Sequence, residues 1–266
     1  MSYAIAMIPY ANMAPFQELE PPPGCRLIDC TPRQSISAIK EKQVWAAAVP
    51  VGGLAQLEGE VDFLGRFGIA ARSEVMSVLF FSDRPFEVFT RPLTLRLSDE
   101  SASSVRLLYL LLGYQHGFDR LPYAVAAGQK ANGALLIGDA ALQATQSVRR
   151  NGSLEGFQVV TDLAARWEAQ HKLPFVFARW VVRKDAPDSL RATLLEWLNG
   201  YRVREAELIR LAAPKVAQRL NLPVDYAERY LKVIRRCLSA EDEAGQERFL
   251  GDLRRHRRQP LFDTLP

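Results

Sequence analysis

Residues 44–51 read Val-Trp-Ala-Ala-Ala-Val-Pro-Val, a run without one charged side chain, and Gly52-Gly53 ends it. A strand of that content has no face to offer water, so it must sit inside a sheet covered on both sides. That requirement excludes all-α folds and sheets with one wet face. The flanking segments agree. Residues 3–10 form an apolar run closed by a turn at Pro9 and Pro15, and residues 26–30 a short second strand. Residues 35–42 read as a short helix, with Ser35 as its cap and Ile36 and Ile39 on its apolar face. The order β-β-α-β predicts an α/β sheet, mainly parallel.

The series then repeats. Residues 75–81 read as another strand, broken by Asp83-Arg84-Pro85, and Arg91-Pro92 marks a connector. Residues 93–97, 123–127 and 133–137 read as further strands. Residues 103–112 predict a buried helix, because Val105, Leu107, Leu108, Leu110, Leu111 and Leu112 leave it no polar face. A helix over 162–170 and a strand over 175–183 follow. From Asp188, read as a cap, the chain becomes helical. Leu190, Leu194, Trp197, Leu198 and Tyr201 share one face. Tyr226, Tyr230, Val233, Ile234 and Cys237 share a second, and a third helix covers about 241–256. The expected architecture is two α/β lobes, with 1–92 and 173–266 in the first and 93–172 in the second. Ligands in such folds bind in the cleft, beyond the carboxyl ends of strands.

Charge and cysteine content narrow the class. With 34 Lys+Arg against 30 Asp+Glu, the net charge of +4 is too small to imply a nucleic-acid partner. Arg248, Arg254, Arg255, Arg257 and Arg258 hold much of it, as a solvated helix face. A hydrophobic content of 48% with 24% charged residues excludes disorder. Cys25, Cys30 and Cys237 make no disulfide framework and fit a reducing compartment. Residues 1–15 show neither the basic nor the apolar part of a signal peptide, and no stretch approaches a membrane span. The expectation is a cytoplasmic protein with no membrane partner. The segment after residue 184 either packs on the first lobe or forms a dimer face, which leaves monomer and homodimer open.

Nucleotide cradles and the nucleophile elbow are missing from the sequence. His116 follows a helix, His171 precedes Leu173-Pro174 in a loop, and His256 lies among arginines. None falls at an expected strand end, so a His-based triad and a His-bound metal are not expected. Three polar spots remain. Asn12, in Tyr10-Ala11-Asn12-Met13-Ala14-Pro15, carries an amide that both donates and accepts, or simply serves the turn. Ser101, Ser103 and Ser104 surround the start of the buried helix, where one cap would need a single hydroxyl. Free N–H groups with hydroxyls there suit a carboxylate or phosphate, and Glu100 counts against that reading if its side chain faces the cleft. Ser77 lies inside an apolar strand and must find a partner, either backbone or ligand.

Together these spots resemble the MqnA/MqnD family of menaquinone biosynthesis enzymes, nearest its chorismate dehydratase branch. The most specific pieces are Ala134-Leu135-Leu136-Ile137-Gly138-Asp139-Ala140-Ala141-Leu142, Asp162-Leu163 with Trp167, and Leu173-Pro174-Phe175-Val176-Phe177-Ala178 with Trp180. Tyr10-x-Asn12-x-x-Pro15, Ala48-Val49-Pro50-Val51, Ser77-Val78 with Phe81-Ser82, and Ser101-Ala102-Ser103-Ser104-Val105 fall in the same order. The resemblance implies a two-lobed fold like type II periplasmic binding proteins, with a C-terminal helical segment. It implies a hydro-lyase, working without metal or organic cofactor, that converts chorismate to 3-(1-carboxyvinyloxy)benzoate in the futalosine route to menaquinone. Asn12 and Ser77 map to the active-site Asn and Ser, and Tyr10, Ser101, Ser103, Ser104, Gly138 and Asp139 to the substrate site. Asp139 is the protein's own candidate base, or a turn residue after a strand. Two departures stand: Gly52-Gly53 replaces an acidic residue often found there, and the sister branch's histidine has no counterpart here. The competing class is a two-lobed protein that binds a small anion without turning it over.

Overall fold

The computed structural model describes residues 2–89, 93–118, 122–126 and 128–256. The expected connector Arg91-Pro92, Ala127 at the end of one expected strand, and Arg257 and Arg258 lie outside them.

The chain starts with β1 (Tyr3–Met7), a one-turn helix α1 (Ala14–Gln17), β2 (Cys25–Asp29), α2 (Pro32–Lys40), β3 (Ala46–Pro50) and the long β4 (Val61–Ala71). It crosses to a second sheet with β5 (Val78–Ser82), β6 (Thr94–Arg96), α3 (Ser103–His116), β7 (Tyr123–Ala124), β8 (Gly133–Ile137), α4 (Gly138–Asn151), β9 (Val159–Asp162) and α5 (Leu163–His171). β10 (Phe175–Arg183) returns to the first sheet, and α6 (Asp188–Leu220), α7 (Val224–Val233), β11 (Arg235–Cys237) and α8 (Ala240–Arg255) close the chain. The first sheet has the order β11-β4-β10-β3-β1-β2 and the second β7-β6-β8-β5-β9.

Both sheets are mixed, not mainly parallel. β1 runs parallel to β2 and β3, but β10 enters between β3 and β4 antiparallel to both. The returning chain reaches the first sheet from the opposite direction, which sets that sense. The central β3 is buried along its whole length, as its apolar content requires. The strand at 78–82, expected with the first lobe, pairs with β8 and β9 of the second sheet. The sheet crossing therefore lies between Ala71 and Val78, ahead of the boundary expected at 92/93. A uniformly apolar strand fits the middle of either sheet, and its sequence does not say which.

One carboxylate ties the two crossings together. Asp162 Oδ2 accepts from Val75 N and Met76 N at 2.9 and 2.8 Å, while its Oδ1 accepts from Ala164 N and Ala165 N and caps α5. Burial raises its pKa, against the lowering effect of these four N–H donors.

Local details also differ from expectation. Thr31, not Ser35, caps α2: Thr31 Oγ1 accepts from Gln34 N while Gln34 reaches back to Thr31 N. The Ser35 hydroxyl instead donates to the Pro32 carbonyl. Pro187 occupies the cap of α6 and Asp188 its first turn. The tail begins with one 33-residue helix containing Pro214. It packs on the first lobe: the Phe16 ring meets Tyr201 at 4.1 Å, Trp197 at 5.5 Å and Trp180 at 5.8 Å. Among the described residues no helix is long and apolar enough to cross a membrane.

Candidate active site

A narrow cleft of about 50 Å³, partly open to solvent, lies between the sheets. The ends of β1, β3 and β8, the start of β5 and the N-terminus of α3 converge on it, as expected for sheets of this kind. Seven of the eight expected site residues line it: Tyr10, Asn12, Ser77, Ser101, Ser103, Ser104 and Gly138. Asp139 is not among the lining residues.

Asn12 sits on a single 3-10 turn, Ala11–Met13, between β1 and α1. Its Oδ1 is buried with no hydrogen-bond partner. A buried acceptor left this way costs about 1–3 kcal/mol, so a ligand donor placed there recovers that loss. Arg236 holds the turn from behind, with Nε donating to the Asn12 carbonyl at 2.8 Å.

Ser77 stands just before β5, not inside a strand as expected, and directly after Met76, which holds a left-handed φ of 60°. The Ser77 carbonyl accepts from Gly138 N at 2.7 Å, and its Oγ accepts from the Tyr230 hydroxyl at 3.1 Å. Its own hydroxyl hydrogen has no acceptor among the described residues and remains available to the cleft.

The three serines divide their work. Ser103 Oγ donates to the Phe177 carbonyl at 2.9 Å and accepts from Gly52 N at 3.0 Å, so it fastens α3 to the first lobe. Ser101 Oγ accepts from Ser104 N at 3.0 Å, the bond a cap would make. The hydroxyl hydrogens of Ser101 and Ser104 have no acceptor among the described residues. They add to the positive end of α3 and make that wall a donor surface for an anion.

Gly52-Gly53 is explained by close packing. A Cβ on Gly52 would stand 2.6 Å from the Ala102 carbonyl oxygen, and one on Gly53 would run into the Ile36 side chain. Gly52 therefore admits no side chain, while one at Gly53 requires Ile36 to shift. On the opposite wall, the Tyr10 ring packs on Gly138, where a Cβ would lie 2.8 Å from Tyr10 Cδ2 and φ is +56°. The Tyr10 hydroxyl donates to Glu100. Burial first, then the bond to Glu100, holds the Tyr10 phenol well above its usual range.

Asp139 lies in the first turn of α4, not in a loop turn. Its Oδ1 accepts from Ala11 N at 2.8 Å and its Oδ2 pairs with Arg219 at 2.6 Å, so both oxygens bind the protein itself. The histidines lie away from the cleft lining: His171 packs against Trp167 and Tyr114, and His256 stacks on Phe118. Phe177 and Ala178 of β10, Pro32 and Pro50 also line the cleft without having been singled out from the sequence as site residues. Tyr230 and Arg236 stand directly behind it; Tyr230 read only as part of an apolar helix face, and Arg236 was not singled out.

A cleft between two mixed α/β sheets, walled by strand ends and one helix N-terminus, defines the two-lobed binding-protein architecture. Solved structures agree. Protein AF1704 from Archaeoglobus fulgidus has a TM-score of 0.70 at 12% identity, covering 96% of this chain and 98% of that one. The periplasmic aliphatic sulphonate binding protein SsuA from Escherichia coli has a TM-score of 0.60 at 13% identity, covering 97% and 94%. Within that architecture, the chain belongs to the menaquinone biosynthesis family, whose model matches residues 3–255. A chorismate dehydratase from Thermus thermophilus is 27% identical over 262 residues, 93% of either chain.

Proposed function

We propose that the protein is a chorismate dehydratase, a cytoplasmic hydro-lyase forming 3-(1-carboxyvinyloxy)benzoate in the futalosine route to menaquinone. The observation that carries this reading is the convergence of Asn12, Ser77 and the α3 serines on one cleft in a chain of the menaquinone biosynthesis family. The similarity to a chorismate dehydratase supports it.

Chorismate brings two carboxylates and a ring hydroxyl that must leave. The ring carbon bearing the ether oxygen loses its proton, and that C–H electron pair becomes the new ring π bond. The neighbouring carbon releases its hydroxyl, which departs with a proton as water. Aromatisation makes the step strongly downhill. The lost hydrogen is vinylogous to the ring carboxylate, so charge builds there as the bond breaks. Ser101, Ser104 and the α3 N-terminus hold that carboxylate with donors fixed in advance. Ser77 donates to the leaving hydroxyl, and the unpartnered Asn12 Oδ1 accepts from the same group, which orients it. Asp139, bound to Ala11 and Arg219, is poorly placed to act as base. In this scheme the substrate's own enolpyruvyl carboxylate takes the ring proton and passes it to the departing hydroxyl, so that water leaves and no proton is left over.

The test is to mix purified protein with chorismate and follow the ultraviolet spectrum and the product mass. Loss of one water, slowed about a hundredfold but still measurable in Asn12→Ala and Ser77→Ala, establishes the reaction. A rise in melting temperature with chorismate but no turnover makes the protein a binder of small anions instead.

A further inference from the structure

Tyr230 is fully buried on α7, in the C-terminal segment, and its hydroxyl reaches Ser77 Oγ at 3.1 Å from 153 positions away in sequence. Burial raises its pKa well beyond the usual phenol range, so the group stays protonated and keeps donating. A serine that accepts on one lone pair cannot aim its own hydrogen at the same donor. Ser77 lines the cleft and has no other acceptor among the described residues, so the hydrogen is turned toward a bound ligand. Accepting one hydrogen bond also polarises a hydroxyl and strengthens the one it gives.

The same segment reaches Asn12. Six residues after Tyr230, Arg236 donates to the Asn12 carbonyl. Asn12 follows β1 of the first sheet and Ser77 precedes β5 of the second. The α7–β11 segment thus grips one group from either side of the cleft.

We infer that Tyr230 is a positioning residue for the elimination, fixing the Ser77 hydroxyl so that it donates to the leaving oxygen; this rests on the dehydratase reading above. Tyr230→Phe removes one hydroxyl and keeps the ring in its packing. It is expected to lower kcat for chorismate about tenfold, with KM within about twofold and the melting temperature within a few degrees. In a Ser77→Ala background the same change is expected to cost nothing further, because the group it acts through is gone. An unchanged kcat in Tyr230→Phe overturns the inference, and so does an equal loss in both backgrounds, which is the signature of a merely structural role. Should Tyr230→Phe fail to fold, 3-fluorotyrosine at position 230 keeps the shape and strengthens the donor. It is expected to raise kcat, and no change in kcat overturns the inference. Wild-type protein without chorismate turnover overturns the dehydratase reading and this inference with it. Wild-type turnover with an unaffected variant overturns this inference alone.

Discussion

The guanidinium of Arg236 donates to the backbone carbonyl of Asn12 at 2.8 Å, and its Nη1 donates to the carbonyls of Leu231 and Ile234 at 3.0 and 3.1 Å. The side chain is fully buried, with no carboxylate in ion-pair range among the described residues. Its three acceptors are all main-chain groups, so a rigid fork of donors sets the Asn12 turn against the α7–β11 connection. It also places a cation behind a cleft proposed to take a dianion.

Arg236→Met removes the charge and leaves those three carbonyls without this donor. Relief of burying a cation works the other way, but three unsatisfied carbonyls at about 1 kcal/mol apiece outweigh it. The net expected loss is about 2 kcal/mol, or about 6 °C in melting temperature, read by thermal unfolding. Turnover measured well below the new melting temperature should fall at least about tenfold, because the Asn12 amide loses its register. A variant as stable and as active as wild type shows that the turn holds itself.

Gly138→Ala tests the opposite wall. The new methyl must occupy space within 2.8 Å of the Tyr10 ring, at a φ of +56° that β-carbon sterics disfavour. The backbone penalty alone is about 1–2 kcal/mol, a few degrees of melting temperature. Displacement of Tyr10 should lower kcat/KM for chorismate about tenfold beyond that. Loss of stability with full kcat/KM would make Gly138 a purely conformational requirement.

What was legible in the sequence was what short-range pattern carries. β8 and β10 fall at residues 133–137 and 175–183 as expected, because both are apolar runs bounded by a glycine or proline. β4 escaped: Asp62 and Arg66 interrupt its apolar residues, and Gly65 and Gly68 read as breakers, yet both glycines lie inside the strand. α4 escaped because no side chain caps it and its first residue is a glycine at positive φ, which reads as a turn. Asn12, Ser77 and the α3 serines stood out as polar groups at strand ends and a helix start, whereas Tyr10 and Gly138 came only from the family resemblance. Tyr230 and Arg236 did not stand out, since they meet Ser77 and Asn12 across 153 and 224 residues. No periodicity records a contact of that range.

The α3 serines should separate cleanly on mutation. Ser103→Ala removes two bonds to Phe177 and Gly52, so its cost is in stability, about 2 kcal/mol and several degrees of melting temperature. Ser104→Ala removes a hydroxyl that no described residue uses, so the melting temperature should stay within about a degree. Its cost is in affinity, with KM for chorismate rising about tenfold as one hydrogen bond to a charged carboxylate is lost. If Ser104→Ala leaves KM unchanged, the anion does not sit at this helix end.

His171 gives the acid limb of stability a local component. Its ring stands 4.0 Å from Trp167 and 5.3 Å from Tyr114, and its Nε2 is buried without a hydrogen-bond partner. Burial, with Arg248 as the next cause and against the opposing pull of Asp252, depresses its pKa below 6.5. The unfolded chain therefore binds a proton more readily than the folded one as pH falls below 6.5. The resulting contribution is fully present above that pH and is lost as pH falls toward and through the folded value. His171→Phe keeps an aromatic ring between its neighbours and removes the titration. Melting temperatures of wild type and variant at about pH 7.5 and about pH 5.5 read the effect, since those conditions bracket the ordinary histidine pKa. The drop between the two should be smaller in the variant, with carboxylate titration common to both proteins cancelling in the comparison. Equal drops would mean that His171 protonates in place at no cost to the fold.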